Sequence, residues 1–246
     1  MRIPVPQSHV ASLMVVLLLA RLASFSQSRS PEAESRNAPP ELNLILASME
    51  QVNHQNPAHS RPYEVTRQYK VFRGDDKRPT SEITAEIRFI PPNRKTFKIT
   101  GASGNRRGEK IVRDLLEHEI GLAPERSKRD IDRTNYDFVF LRQEKFGLAS
   151  EYVLHIVPKR KEKGLMLGQI WVDAKTFRIR RIEGVPAKSP SIWIKDSYIT
   201  LQFAEVNGVW MAVSFDAIAT VRFLGRYTLT GLYVGALNPA SIAMKP

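Results

Sequence analysis

The chain reads as mainly β with a helical share, an α+β protein built on one large antiparallel sheet. Three observations predict this class: long runs of period two, tight turn signals between them, and only two internal stretches with helical spacing. The first helix is expected over about 40–54, where "ELNLILASMEQVNHQ" follows Pro39-Pro40 and spaces Leu42, Leu44, Ile45, Met49 and Val52 on one side. From Tyr63 the period becomes two. "YEVTRQYKVFRG" sets Tyr63, Val65, Tyr69 and Val71 on one face and ends in the turn "GDDKR". "SEITAEIRFI" answers with Ile83, Ala85, Ile87 and Phe89 inward. "PPN" breaks that strand, and "RKTFKIT" resumes with Phe97 and Ile99 inward. After the loop "GASGN", the second helix, "RRGEKIVRDLLEHEIGL", carries a narrow stripe of Ile111, Val112, Leu115, Leu116 and Ile120, with Gly121 placed to cap it.

From Asn135 onward the sequence is nearly all strand. "NYDFVFLRQE", "ASEYVLHIVPK", "LMLGQIWVD", "FRIRRIEG", "SIWIKDSYITLQFAEV", "VWMAVSFDAIATVRFLG" and "RYTLTGLYVG" follow one another through short connections. Asn207-Gly208 between two alternating runs is a strong hairpin signal. About ten strands joined this way predict one antiparallel meander. Asp173 stands where "LMLGQIWV" reverses into "FRIRRI". An aspartate opening a turn accepts backbone hydrogen bonds with its side chain, so a hinge is expected rather than an acid at work.

The ends read differently from the middle. Residues 1–27 open with Arg2, contain no acidic residue and carry an apolar run from Val10 to Ala20, the pattern of a secretory signal with cleavage expected between Ala23 and Ser30. Residues 28–40, "SRSPEAESRNAPP", form a polar, proline-rich leader. One domain over 41–237 and a tail over 238–246 complete the expected organisation. The chain has no cysteine, so neither a disulfide framework nor a lipid-bearing cysteine is available to it. An envelope protein of the bacterial periplasm fits these features. The net charge is +12; Arg2 and Arg21 carry two of those charges, leaving +10 on the rest. That excess favours anionic partners, and export turns the expectation from nucleic acid towards an anionic membrane surface.

Catalytic constellations are not found. His54, His59, His118 and His155 offer no helical metal pair, and no nucleophile elbow, P-loop or dinucleotide fingerprint occurs. "GASGNRRG" precedes a helix but lacks the phosphate-binding lysine. Asp75-Asp76, Asp130 and Asp132 lie in charged turns. No enzyme, metal or cofactor is therefore expected. The strands instead carry an apolar surplus: Phe89, Phe97, Phe138, Phe140, Trp171, Phe203, Phe215 and Phe223 all fall in alternating runs, and strands 152–157 and 165–172 look apolar on both faces. Helices covering one face would make an ordinary core; a curved sheet could enclose a cavity. Periodicity alone favours the ordinary core.

"EYVLHIVPKRKEKGLMLGQIWVDAKTFRIRRIEG" resembles the centre of the periplasmic lipoprotein-carrier family, the Lol-type sorting proteins, where a strand ending in Leu-x-Pro-Lys precedes a hairpin with an acidic turn residue. Here these are Ile156-Val157-Pro158-Lys159 and Asp173. "RFIPPNRKTFKI" resembles the family's early strand pair. The likeness follows the order of elements from 41 to about 235 and is strongest over 136–184. It implies an incomplete, half-open barrel with helices packed on its concave side as a lid, sheltering the acyl chain of a lipid or lipoprotein without catalysis. Inner- or outer-membrane partner proteins are implied as well. On that basis the cavity is expected to be lined by Ile87, Phe89, Phe97, Phe138, Phe140, Trp171, Phe203 and Phe215, and closed near Arg88, Pro91 and Arg94. Pro91 departs from the family pattern, since it stands where the lid-closing arginine belongs and has no side-chain donor. One alternative is an envelope scaffold or protein-interaction module on the same fold with a filled core; a second is an envelope hydrolase, for which loss of activity on replacing Asp137 or His155 would be the sign.

Overall fold

A computed structural model describes residues 42–147, 149–189 and 191–237. The expected signal, leader and tail lie outside the described residues. The elements run α1 (Leu42–His54), β1 (Tyr63–Arg73), β2 (Ser81–Ile90), β3 (Arg94–Gly104), α2 (Arg106–Leu122), β4 (Tyr136–Phe146), β5 (Ala149–Pro158), β6 (Met166–Asp173), β7 (Ile179–Pro186), β8 (Ile194–Val206), β9 (Val209–Val221) and β10 (Gly225–Leu237). Short 3-10 turns occupy Pro57–His59 and Ala123–Arg129. Gly121 lies inside α2 rather than capping it, because the helix passes Leu122 and tightens directly into the second 3-10 segment.

Ten strands form one sheet in the order β3-β2-β1-β10-β9-β8-β7-β6-β5-β4, every pair antiparallel. This corrects the simple meander. Hairpins link β1 to β3 and β4 to β10 as their turns predict, but the first strand pairs with the last. The crossover through α2 carries the chain from one sheet edge, β3, to the other, β4. The sheet is not closed into a barrel, since β3 and β4 do not pair.

One row of side chains crosses all ten strands. It runs Ala102, Ile83, Tyr69, Gly231, Phe215, Leu201, Ile182, Ile170, Leu154 and Phe140, each opposite the next. Because side chains alternate along a strand, this row marks a single apolar face. Gly231 is where that face needs room, since a Cβ there would stand 3.0 Å from the Tyr69 ring. Both helices pack on this face. Val112 and Leu116 of α2 join Val65, Tyr69, Val71, Ile83 and Ile87 in one core; Ile45, Leu46 and Met49 of α1 join Leu154, Ile156, Ile170, Val172 and Ile182 in another. Burying each such side chain contributes about 1.5–3 kcal/mol. Asn105 caps α2 by accepting from the Gly108 amide at 2.8 Å. The hairpin at Asn207-Gly208 has φ of 51° and 78°, the left-handed pair of a type I′ turn.

Asp173 is the hinge the sequence predicts. Its Oδ1 accepts from the amides of Lys175 at 3.0 Å and Thr176 at 2.8 Å, and from the Thr176 hydroxyl at 3.0 Å. Burial alone would raise its pKa, but the Thr176 and Lys175 amides, the Thr176 hydroxyl and Arg180 together outweigh burial and hold the carboxyl below its ordinary value. Arg180 adds a pair to Oδ2 at 3.3 Å, partly screened because its side chain is 39% exposed. Asp173→Asn keeps an acceptor for the turn and should lose about 1 kcal/mol or less, whereas Asp173→Ala strips both amides and should lose about 1–2 kcal/mol. Urea unfolding of the two variants checks that order; an Asn variant as unstable as Ala would show that the charge, not the turn, matters.

Candidate functional site

The two cores leave a hollow of about 450 Å³ between them, within the range of roughly 300–1,000 Å³ typical of small-molecule sites. Tyr63, Phe89 and Lys95 reach it from β1, β2 and β3, while Tyr136 and Met166 reach it from β4 and β6. Strands from both ends of the sheet thus converge on one cavity, which requires the sheet to curve around it. The apolar wall is Phe89, Ile179, Ile182, Leu201, Phe203 and Met211, with Met49 of α1 above. Tyr63 stacks on Phe89 with ring centroids 5.1 Å apart.

The remaining wall is charged and mostly basic. Arg67, on β1, and Lys95, on β3, both pair with Glu119 near the end of α2, Arg67 at 3.1 Å. Burial would raise the Glu119 pKa, yet the two cations hold it well below the ordinary carboxylate range. Arg178 lies 5.1 Å over the Trp210 ring, whose Nε1 donates to the Ile179 carbonyl at 2.9 Å. Asn56 ties the turn after α1 to β9. Its Nδ2 donates to the Trp210 carbonyl at 2.8 Å and its Oδ1 accepts from the Trp210 amide at 3.2 Å, as a neighbouring strand would. Arg126 contacts both the His59 ring and Asp130, so it links the two 3-10 turns beside the cavity. Among the described residues no three His, Asp or Glu side chains are grouped to hold a metal ion.

His59 carries the clearest pH signature. Burial, then the charge of Arg126, then that of His54 lower its pKa from 6.5 to about 4. Unfolded chain therefore binds a proton at pH values where folded chain does not, and acidification through that window favours unfolding. Stability should fall as pH drops from 6.5 towards about 4, and His59→Gln should flatten this slope. Urea midpoints recorded across the window test it; identical slopes in both proteins would remove His59 as the cause.

Of the eight residues expected in the wall, Phe89 and Phe203 line the hollow. Ile87, Phe97 and Phe215 belong to the core under α2, and Phe138 and Phe140 to the core under α1. Trp171 is a correction. It points to the opposite face from Ile170 and Val172, where Arg181 lies 3.7 Å over its ring and its Nε1 donates to Glu144 at 2.6 Å. The expected closure residues are not at the hollow either. Arg88 pairs with Glu64 at 2.7 Å on the face opposite Phe89, and neither Pro91 nor Arg94 is part of the lining. Lys95, one position on, is the residue that turns inward. Phe223 is not in a strand; it lies in the turn between β9 and β10.

Fold and hollow together define a class: an open antiparallel sheet, filled at both ends by helices, that keeps an apolar space between them. No family model matches the chain, and no curated protein matches it. Solved structures similar to it include a LolA superfamily protein from Nitrosomonas europaea, 12% identical over 82% of this chain and 97% of that one, with a TM-score of 0.45. Another is an outer membrane lipoprotein-sorting protein domain from Vibrio parahaemolyticus, 12% identical over 78% and 91% of the two chains, with a TM-score of 0.46. A DUF1329 family protein from Desulfovibrio piger is 15% identical over 82% and 96%, with a TM-score of 0.40.

Proposed function

We propose that the protein is an exported, non-enzymatic carrier of the bacterial periplasm that shelters the acyl chain of a lipid or lipoprotein in this hollow. The observation that carries the reading is the hollow itself: an apolar wall of Phe89, Ile182, Leu201, Phe203 and Met211 faces a basic one. Apolar burial, at about 25 cal/mol per Å², supplies affinity for a chain, and Arg178 and the one positive charge that Arg67 and Lys95 leave over their shared Glu119 supply attraction for an anionic head. The resemblance of 136–184 to the sorting carriers and the signal-like pattern of 1–27 support the same reading, with membrane proteins as donor and acceptor. The scaffold alternative draws on one observation, that five of the eight expected wall residues are packed into the two cores without lining the hollow. Native mass spectrometry separates the two. A carrier retains lipid that is released on denaturation and binds a fluorescent fatty acid after delipidation; a protein that purifies empty and binds none is the scaffold.

A further inference from the structure

At one rim of the sheet, four large apolar side chains that take no part in lining the hollow stand in water. Ile192 is 80% exposed, Trp193 56%, Phe223 95% and Leu224 37%. They come from two loops, one before β8 and one between β9 and β10. The loops are fastened together, since the Arg222 amide donates to the Trp193 carbonyl at 2.8 Å and Ile194 pairs with Val221. The first loop is tied internally as well, by the Ser189 hydroxyl donating to the Ser191 carbonyl at 2.8 Å. The cluster is therefore held in place by its own loops.

Phe223 is the most telling member. Its φ is 65°, a left-handed conformation that an aromatic side chain rarely adopts and that glycine accepts freely. The turn holds a disfavoured residue and gains no burial from it. Strain kept without a packing return points to a use outside the fold. Around the cluster the charge is mostly positive. Lys188, Lys195 and Arg222 are exposed in or beside the two loops, and Arg226 follows with a single distant partner, Asp75 at 3.8 Å. The next loop on this rim adds Lys161 and Lys163, joined to it through the Ala187 amide donating to the Leu165 carbonyl at 2.8 Å. The acids among them are Asp196, Glu162, which is taken by Arg160 at 3.2 Å, and Asp75 and Asp76 in the turn beside Arg226.

We infer that this tip docks the protein on an anionic phospholipid bilayer, with Trp193, Phe223, Ile192 and Leu224 entering the interface and the surrounding cations meeting the head groups. Trp and Phe favour that boundary, and lysines and arginines beside it gain from the negative surface. The occupant is a membrane rather than a protein because of scale. A stable protein interface buries about 800 Å² on each side, whereas two short loops offer four side chains, which suits insertion into a fluid surface. The inference does not depend on whether the hollow holds a lipid.

The test uses the full chain with vesicles of phosphatidylglycerol and phosphatidylcholine, against vesicles of phosphatidylcholine alone. The readout is tryptophan emission and its quenching by brominated acyl chains, with Trp193→Phe subtracting Trp171 and Trp210. Because the N-terminal apolar run is present throughout, Trp193's own signal identifies the tip. Anionic vesicles should shift that signal to the blue and allow quenching, and raised salt should weaken both. Phe223→Gly should weaken vesicle binding by about tenfold while melting no lower than the unsubstituted chain, since glycine suits the left-handed turn. Four results overturn the inference: Trp193 emission that stays unchanged while vesicles bind the chain, Phe223→Gly affinity within about twofold of the original, equal binding to neutral vesicles, or a blue shift that follows protein concentration without lipid, which would assign the tip to a second copy of the chain.

Discussion

Replacing Glu119 with leucine is expected to cost about 3–5 kcal/mol, because it leaves Arg67 and Lys95 in a largely desolvated site without their shared carboxylate. The Arg67 and Lys95 side chains are 17% and 13% exposed and Glu119 30%, so solvent can replace little of what is lost. The cost lies in the orphaned cations rather than in the strength of the original pairing. A triple variant, Glu119→Leu with Arg67→Met and Lys95→Met, should recover most of the stability by removing all three charges together. Urea unfolding at neutral pH measures both. If the triple variant is no more stable than Glu119→Leu, the effect belongs to packing at the end of α2.

The same triad sets an acid limit. Glu119 has a folded pKa below its ordinary 4.5, so the unfolded chain takes up a proton first as pH falls. Its contribution is fully present above 4.5 and is lost as pH falls from there through the depressed folded value. This window starts at 4.5, where that of His59 is ending near 4, and variants at the two positions assign the two slopes separately. Asp130 works in the opposite sense, because burial raises its pKa and a protonated carboxyl is the form the fold prefers.

Each member of the triad leaves a mark in the sequence at its own position. Arg67 falls on the face of Val65 and Tyr69, so a charged residue interrupts an otherwise apolar row. Glu119 lies three residues after Leu116 and seven after Val112, on the stripe that α2 buries. Lys95, not Arg94, shares a face with Phe97 and Ile99. Each is a polar group where the period demands an apolar one, and their meeting point needed tertiary structure. The hairpins were readable because turn chemistry is local: Asn207-Gly208 and Asp173 behave as their residues predict. The pairing of β1 with β10 was not, since no local signal joins strands so distant in the chain. Trp171 was misplaced because strand 166–173 is apolar on both faces, which hides the inner one. Its neighbours Ile170 and Val172 mark that face, and Arg181 supplies a polar cover on the other.

Filling the hollow should separate binding from stability more sharply than any deletion. Ala212 lies on β9 at the cavity wall, opposite Phe203. Ala212→Trp projects an indole into the space a ligand would use, and about 450 Å³ leaves room for it without forcing the sheet apart. Affinity for a fluorescent fatty acid should fall by about tenfold or more, the loss expected if roughly one buried apolar group's worth of contact is displaced, while the melting temperature stays near that of the original protein. Ile87→Ala supplies the contrast. Ile87 is buried under α2 in the filled core, so its truncation should cost about 2–5 kcal/mol through lost transfer energy and an unrelaxed void. Because it does not line the hollow, fatty-acid affinity should survive wherever the variant remains folded. Phe203→Ala falls between the two, since Phe203 both lines the hollow and packs against the α1 core, and it should weaken binding and stability together. Thermal melts and displacement titrations on the three variants give the comparison. If Ala212→Trp binds as well as the original chain, the hollow is not where the ligand sits; if Ile87→Ala loses binding while still folded, the ligand reaches beneath α2.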